Sequence, residues 1–154
     1  MAATQEETNF YRSAEVVLDV SPKILREMLA SEVVPNTILT KFTSIPQPAR
    51  KMIRNDQITE IHDASMNGTY DNLDTTLLYF LLRNLSHIVK PTNNWGLNPS
   101  PTSVLIGDDV ERIRITRNTV CAHAKVASVS GNSYKTFITD MTAMYGRFDN
   151  YLQP

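Results

Sequence analysis

Apolar positions recur along this chain at helical spacing almost from its start. Phe10, Ala14, Val17, Leu18, Ile24, Leu25, Met28 and Leu29 keep one face of a helix between about Asn9 and Ala30. Ser21-Pro22 interrupts that run, and one helix kinked at the proline is expected, because the ring removes an N–H and collides with the preceding turn. Short helical pieces are expected from Val34 to Asp63, punctuated by Pro35, Pro46 and Pro48 and capped by Asn36 and by Asn55 or Asp56. The segment Asp74 to His87 carries Leu77, Leu78, Phe80, Leu81, Leu82 and Leu85, so it is predicted to lie at the centre of the core. Residues 90–107 hold three prolines, paired asparagines and two glycines, which predicts a long non-helical connection. A helix opening at Asp108 or Asp109 and running to about Ala124 follows, with the acids at the positive end of its dipole. After a turn at 128–132, the last helix, from about Ser133 to Asn150, places Tyr134, Phe137, Ile138, Met141, Tyr145 and Phe148 on one face. No strand-like alternation occurs. The expected fold is all-α, an antiparallel bundle of about five to six helices, spanning residues 9–150 behind a flexible N-terminus at 1–8.

Composition narrows the function classes. At 154 residues, 42% hydrophobic and 20% charged, the chain is expected to fold as one domain with its own core. A net charge of −1 supplies no global attraction to nucleic acid or anionic lipid, so such a partner requires a local patch. Lys41, Arg50, Lys51 and Arg54 have no acid among them; this suits a solvated basic face, and also a surface that tracks phosphates. The longest apolar run, Leu77 to Leu82, is too short to span a bilayer, and the first residues lack the apolar stretch of a secretory leader, so a cytoplasmic protein with no membrane partner is expected. Cys121 is the only cysteine, which excludes an internal disulfide and paired-thiolate zinc sites, and the five glycines form no phosphate-cradling loop. Neither metal nor cofactor is expected.

The chemically unusual residue is Arg117. On its helix the apolar stripe comprises Val110, Ile113, Val120, Cys121 and Ala124, and at about 100° per residue Arg117 falls inside it. Burying an unpaired guanidinium is costly, so Arg117 must meet a carboxylate, a polar network or a groove shared with ligand, unless its stem covers the core and its head reaches water. Asn84 lies among Leu77, Leu81 and Ile88 on its own helix, and is therefore expected to be buried within hydrogen-bonding reach of the Arg117 helix. His62 and His87 lack ligand-like spacing and receive no role, and Cys121 is expected to be simple packing.

The run Arg117-Asn118-Thr119-Val120-Cys121-Ala122-His123 resembles the Arg, polar residue, spacer, His signature of the HEPN superfamily. With DTTLLYFLLRNL at 74–85, Trp95-Gly96 and its prolines, and DDVERIRITRNTVCAH at 108–123, the chain from about Asn9 to Phe148 is similar to the HEPN domain of the DAZ-interacting RING-type ubiquitin ligase and related animal proteins. Thr119 and Ala122 depart from that subfamily, which tends to carry an acid and a glycine there. The resemblance implies a homodimer formed through the helix bearing Arg117 and His123. It also implies metal-independent cleavage of single-stranded RNA by ribose 2′-hydroxyl attack. Arg117 would grip the phosphate, His123 would act as general acid or base, and Asn118 would orient His123 or the substrate. Arg114, Lys125 and Asn84 are candidate substrate contacts, and Arg112, Arg114 and Lys125 candidate sources of a local positive field. Geometry is compatible with a shared groove, since six residues of ideal helix separate Arg117 and His123 by about 9 Å along the axis and about 120° around it. The alternative is a non-catalytic dimerisation, scaffold or RNA-binding module of a longer regulatory or immune protein; a third class is a peptide-binding adaptor that uses the Trp95 loop as a groove wall.

Overall fold

Helices supply all the regular structure among the described residues, which in this computed structural model are 4–153, the side chains of Ala122 and His123 excepted. The order is α1 (Gln5–Glu15), a π-helical turn (Val16–Val20), α2 (Ser21–Glu32), α3 (Ile38–Thr43), α4 (Asn55–Asn67), α5 (Thr75–Leu85), α6 (Ile106–His123) and α7 (Gly131–Leu152), with 3₁₀ turns at Pro35–Thr37 and Ala49–Met52. The all-α class expected from periodicity is therefore present. Helix α1 starts at Gln5, inside the stretch 1–8 expected to precede it, because the Thr4 side chain accepts the Glu7 amide and caps the first turn. Helical bonding also continues past Ser21-Pro22. The Ser21 amide bonds to the Val16 carbonyl, five residues back, and this wider turn makes room for a proline ring that an α-helical turn would meet.

Two compact units are present, Met1–Ser21 with Val89–Pro154, and Pro22–Ile88. In the second unit, α5 is capped by the Asp74 carboxylate, which accepts the Leu77 amide at 2.9 Å. Its Leu77, Leu78, Leu81 and Leu82 are completely buried, as expected of the most apolar segment. Helix α3 packs against α4 and α5, and the Phe42 and Phe80 rings lie 6.5 Å apart. Gly68 ends α4 at φ 72°, a left-handed position that a Cβ disfavours. Nearby, the buried Tyr70 donates its hydroxyl to the Val33 carbonyl at 2.7 Å. Burial pushes the Tyr70 phenol above its usual range.

In the first unit α6 packs against α1, the π turn and α7. Phe10, Val17 and Val120 form a small buried cluster there, flanked by Ala14, Val129 and Phe137. Asn9 is buried within reach of that cluster and has partners: its amide nitrogen donates to the Val129 carbonyl at 3.2 Å and its oxygen accepts from Gln5 at 2.9 Å. Helix α6 begins at Ile106, two residues ahead of the acids expected to open it, and its second residue, Gly107, lies directly on the strand of chain at 89–91. Its amide bonds to the Val89 carbonyl at 3.0 Å. No described helix is long and apolar enough to cross a membrane.

Two outcomes are expected. A Cβ on Gly107 would stand 2.5 Å from the Pro91 nitrogen and 2.6 Å from the Lys90 carbonyl carbon, so Gly107→Ala should cost about 1–3 kcal/mol through forced backbone displacement, measured as a lower urea midpoint. The Tyr70 pKa is higher in the folded chain than the unfolded value of about 10. Its contribution is complete below that pH and is lost as pH rises beyond it. Urea midpoints above about pH 10 should therefore fall less steeply in Tyr70→Phe than in the wild type, the remaining slope including Tyr145, whose pKa burial also raises.

Candidate functional site

Helix α6 carries three arginines, and the fold treats them differently. Arg112 bonds to Asp109 at 2.8 Å. Arg114 contacts the Glu111 carboxylate at 2.7 Å. Arg117 lies in register with Val110, Ile113 and Val120, all buried, and is itself half-buried. Its guanidinium makes no hydrogen bond or ion pair among the described residues. The expected placement of Arg117 on the apolar stripe thus holds, while no described carboxylate accompanies it.

The other candidates are dispersed. Asn118 is exposed one residue on, and the Thr119 hydroxyl donates to the Ile115 carbonyl of the preceding turn. The backbone of His123 ends α6, and its side chain lies outside what is described. Lys125 is exposed in the turn that follows. Asn84 corrects an expectation: it is exposed, and its amide donates to the Phe80 carbonyl of its own helix at 2.8 Å. The wheel placed it beside leucines, but at the penultimate position of α5 that edge is uncovered and the side chain turns back on its own backbone. Cys121 and Ala124, assigned to the stripe, are exposed as well, because they lie at its edge and in the last turn.

What sequence reasoning missed is the state of the acids. Asp108, Asp109 and Glu111 are all completely buried, although Asp108 and Asp109 were expected merely to favour the helix dipole. Asp108 accepts the Thr92 amide and hydroxyl, each at 2.8 Å, and the Leu105 amide at 3.0 Å. Glu111 accepts the Gly96 amide at 2.8 Å in addition to Arg114. Asp109 receives Arg112 and a two-pronged grip from Arg147 of α7, at 2.7 and 2.8 Å. Arg112 completes the arrangement by donating to the carbonyls of Ser100 and Ser103. Burial lowers and the Asp109 bond raises the Arg147 pKa, and the bond dominates. The Asp109–Arg112 and Glu111–Arg114 spacings of three residues were a legible signal; Arg147, 38 residues from Asp109, was not.

Beside this network the loop, α6 and α7 enclose a cleft of about 470 Å³, with Pro101 and Val104 on one wall, Ile115 and Thr116 on another, and Met141 and Met144 on the third. A family model, DZIP3/hRUL138-like HEPN, matches residues 22–145, from α2 into α7. The chain belongs to this HEPN family. The match is shorter than the span from Asn9 to Phe148 expected from resemblance, leaving α1 outside it. No curated protein and no solved structure compared with this HEPN chain matches it.

The buried network carries its own test. Asp109→Asn leaves two guanidiniums without their shared carboxylate and should destabilise the HEPN chain by about 3–5 kcal/mol. Asp140→Asn, which changes an exposed acid bordering the same cleft, should alter stability by less than about 0.5 kcal/mol. Urea denaturation of the three proteins side by side decides it.

Proposed function

We propose that this HEPN chain is an RNA-directed module that cleaves single-stranded RNA without a metal, as a homodimer paired through α6, with Arg117 holding the scissile phosphate. The observation carrying this reading is the contrast among the arginines of α6: Arg112 and Arg114 are matched by buried carboxylates, whereas the half-buried Arg117 has no acid among the described residues. A guanidinium kept partly out of water without a counter-ion is poised for an external anion, and a phosphate offers the two coplanar oxygens its fork fits. Asn118, exposed beside it, supplies an amide for substrate or for the neighbouring imidazole.

The chemistry needs only proton transfer and charge stabilisation. A base takes the proton of the ribose 2′-hydroxyl; the oxygen attacks phosphorus, the bond to the 5′-oxygen breaks, and that oxygen leaves protonated beside a cyclic phosphate. His123 is the candidate for these transfers, since imidazole titrates near neutrality. Arg117 stabilises the charge that builds on the phosphoryl oxygens. Spacing along one helix does not bring both groups to one phosphorus, so two-fold pairing of α6 is part of the proposal. Exposed Lys125 adds local positive potential, while Arg114 is already joined to Glu111.

Cleavage of fluorogenic single-stranded RNA, with and without chelator, tests this. Wild type should cut in both conditions and scatter light as a dimer at micromolar concentration. His123→Ala should lose about 10² to 10⁴ in rate while keeping RNA affinity, and Arg117→Ala should lose affinity as well as rate. A wild type that cuts no RNA, together with an earlier-melting His123→Ala, establishes the scaffold role instead.

A further inference from the structure

The basic tract of the second unit takes no part in the proposed chemistry. That unit, Pro22–Ile88, has as many acids as lysines and arginines, but none of its acids falls between Val33 and Asn55, where Lys41, Arg50, Lys51 and Arg54 stand. The acids that flank the tract are engaged. Glu32 accepts the His87 amide at 3.2 Å, and Asp56 pairs with Arg54 at 3.0 Å, which offsets the Arg54 charge. Lys41, Arg50 and Lys51 form no ion pair among the described residues. Three positive charges of the tract are therefore unmatched.

The fold gathers these three charges. Arg50 donates from Nη1 to the Thr43 carbonyl at 2.7 Å, at the end of α3, where the last carbonyls of a helix favour a cation. Lys41 lies two residues before Thr43 and Lys51 directly follows Arg50, so this bond draws the two ends of the intervening loop together with a lysine at each. The loop is closed further by the Ile45 amide on the Phe42 carbonyl and the Lys51 amide on the Pro48 carbonyl, at 3.0 and 3.1 Å. Both lysines are exposed. The apolar side chains of the tract are already used, since Ile38, Phe42 and Ile45 are buried. Between Lys41 and Arg54, Met52 is the only large apolar side chain exposed among the described residues, and no aromatic ring is exposed there.

We infer that this face holds the phosphates of a single-stranded RNA through Lys41, Arg50 and Lys51, without reading its bases. The inference rests on the RNA reading above and adds to it a second contact, distinct from that of Arg117. An anion that recurs along a flexible strand engages separate cations one by one and needs no pocket. A bilayer surface or a protein partner requires apolar side chains to bury, and Met52 alone offers little. Stacking of bases requires an exposed ring, which the tract lacks. Affinity at this face therefore comes from charge and declines with salt.

The test is the fluorescence anisotropy of a labelled 2′-O-methyl oligouridine, which lacks the hydroxyl that cleavage needs, titrated with the full chain between about 50 and 200 mM potassium chloride. Lys41→Gln and Lys51→Gln should each flatten the slope of log affinity against log salt by about 0.7, equivalent to about fivefold weaker binding at about 0.1 M salt. Lys41→Arg combined with Lys51→Arg should keep the wild-type slope. Lys135→Gln, the same loss of charge at an exposed position of α7 in the other unit, should change it little. The inference is overturned if the glutamine variants keep the wild-type slope; weaker binding by Arg117→Ala then leaves the RNA reading standing. A lysine effect without an Arg117 effect sustains the inference and removes Arg117 from the contact. A wild type that does not bind at any of these salt concentrations overturns both. The inference also falls if Lys135→Gln matches the tract variants, which makes net charge the cause, or if the two lysines are needed for phosphatidylserine vesicles or oligoglutamate and not for the oligonucleotide.

Discussion

Asp109 holds a negative charge with no exposure to water, and what surrounds it can be understood as the means of keeping it there. Desolvating a carboxylate costs several kcal/mol, roughly, and an ion pair offsets that only when its geometry is good and the remaining lone pairs are used. Three guanidinium nitrogens within 2.8 Å meet that requirement. Because Arg147 arrives from α7 and Arg112 continues to the carbonyls of Ser100 and Ser103, one carboxylate ties together two helices and a loop. Asp108 and Glu111 do the same for Thr92 and Gly96. A connection of twenty residues with no regular structure is thereby held by acids from a single turn of α6.

This arrangement also shapes the electrostatics of α6. A chain of net charge −1 has no general affinity for phosphate. Its acids at the start of α6, however, are withdrawn from the surface, Asp109 and Glu111 matched to Arg112, Arg114 and Arg147 and Asp108 to the Thr92 and Leu105 amides. Farther along the same helix Arg117 has no partner among the described residues, so its charge is not matched as those of Arg112 and Arg114 are. The acids of the first half of α6 hold the loop that walls the cleft, while its second half carries Arg117 with no partner among the described residues.

Much of this was legible along the chain. Helical periodicity alone identified the all-α class, the buried leucines of α5 and the register of Arg117, because a repeat near 3.6 residues is a property of the local backbone. The same local rule predicted burial for Asn84 and Cys121, and there it failed, since a stripe is buried only where another element covers it. Only the tertiary structure decided that Asp109 would be a buried charge and not a solvated one: the residue that makes burial tolerable, Arg147, is 38 positions away, and nothing in the spacing of either helix says that the two will meet.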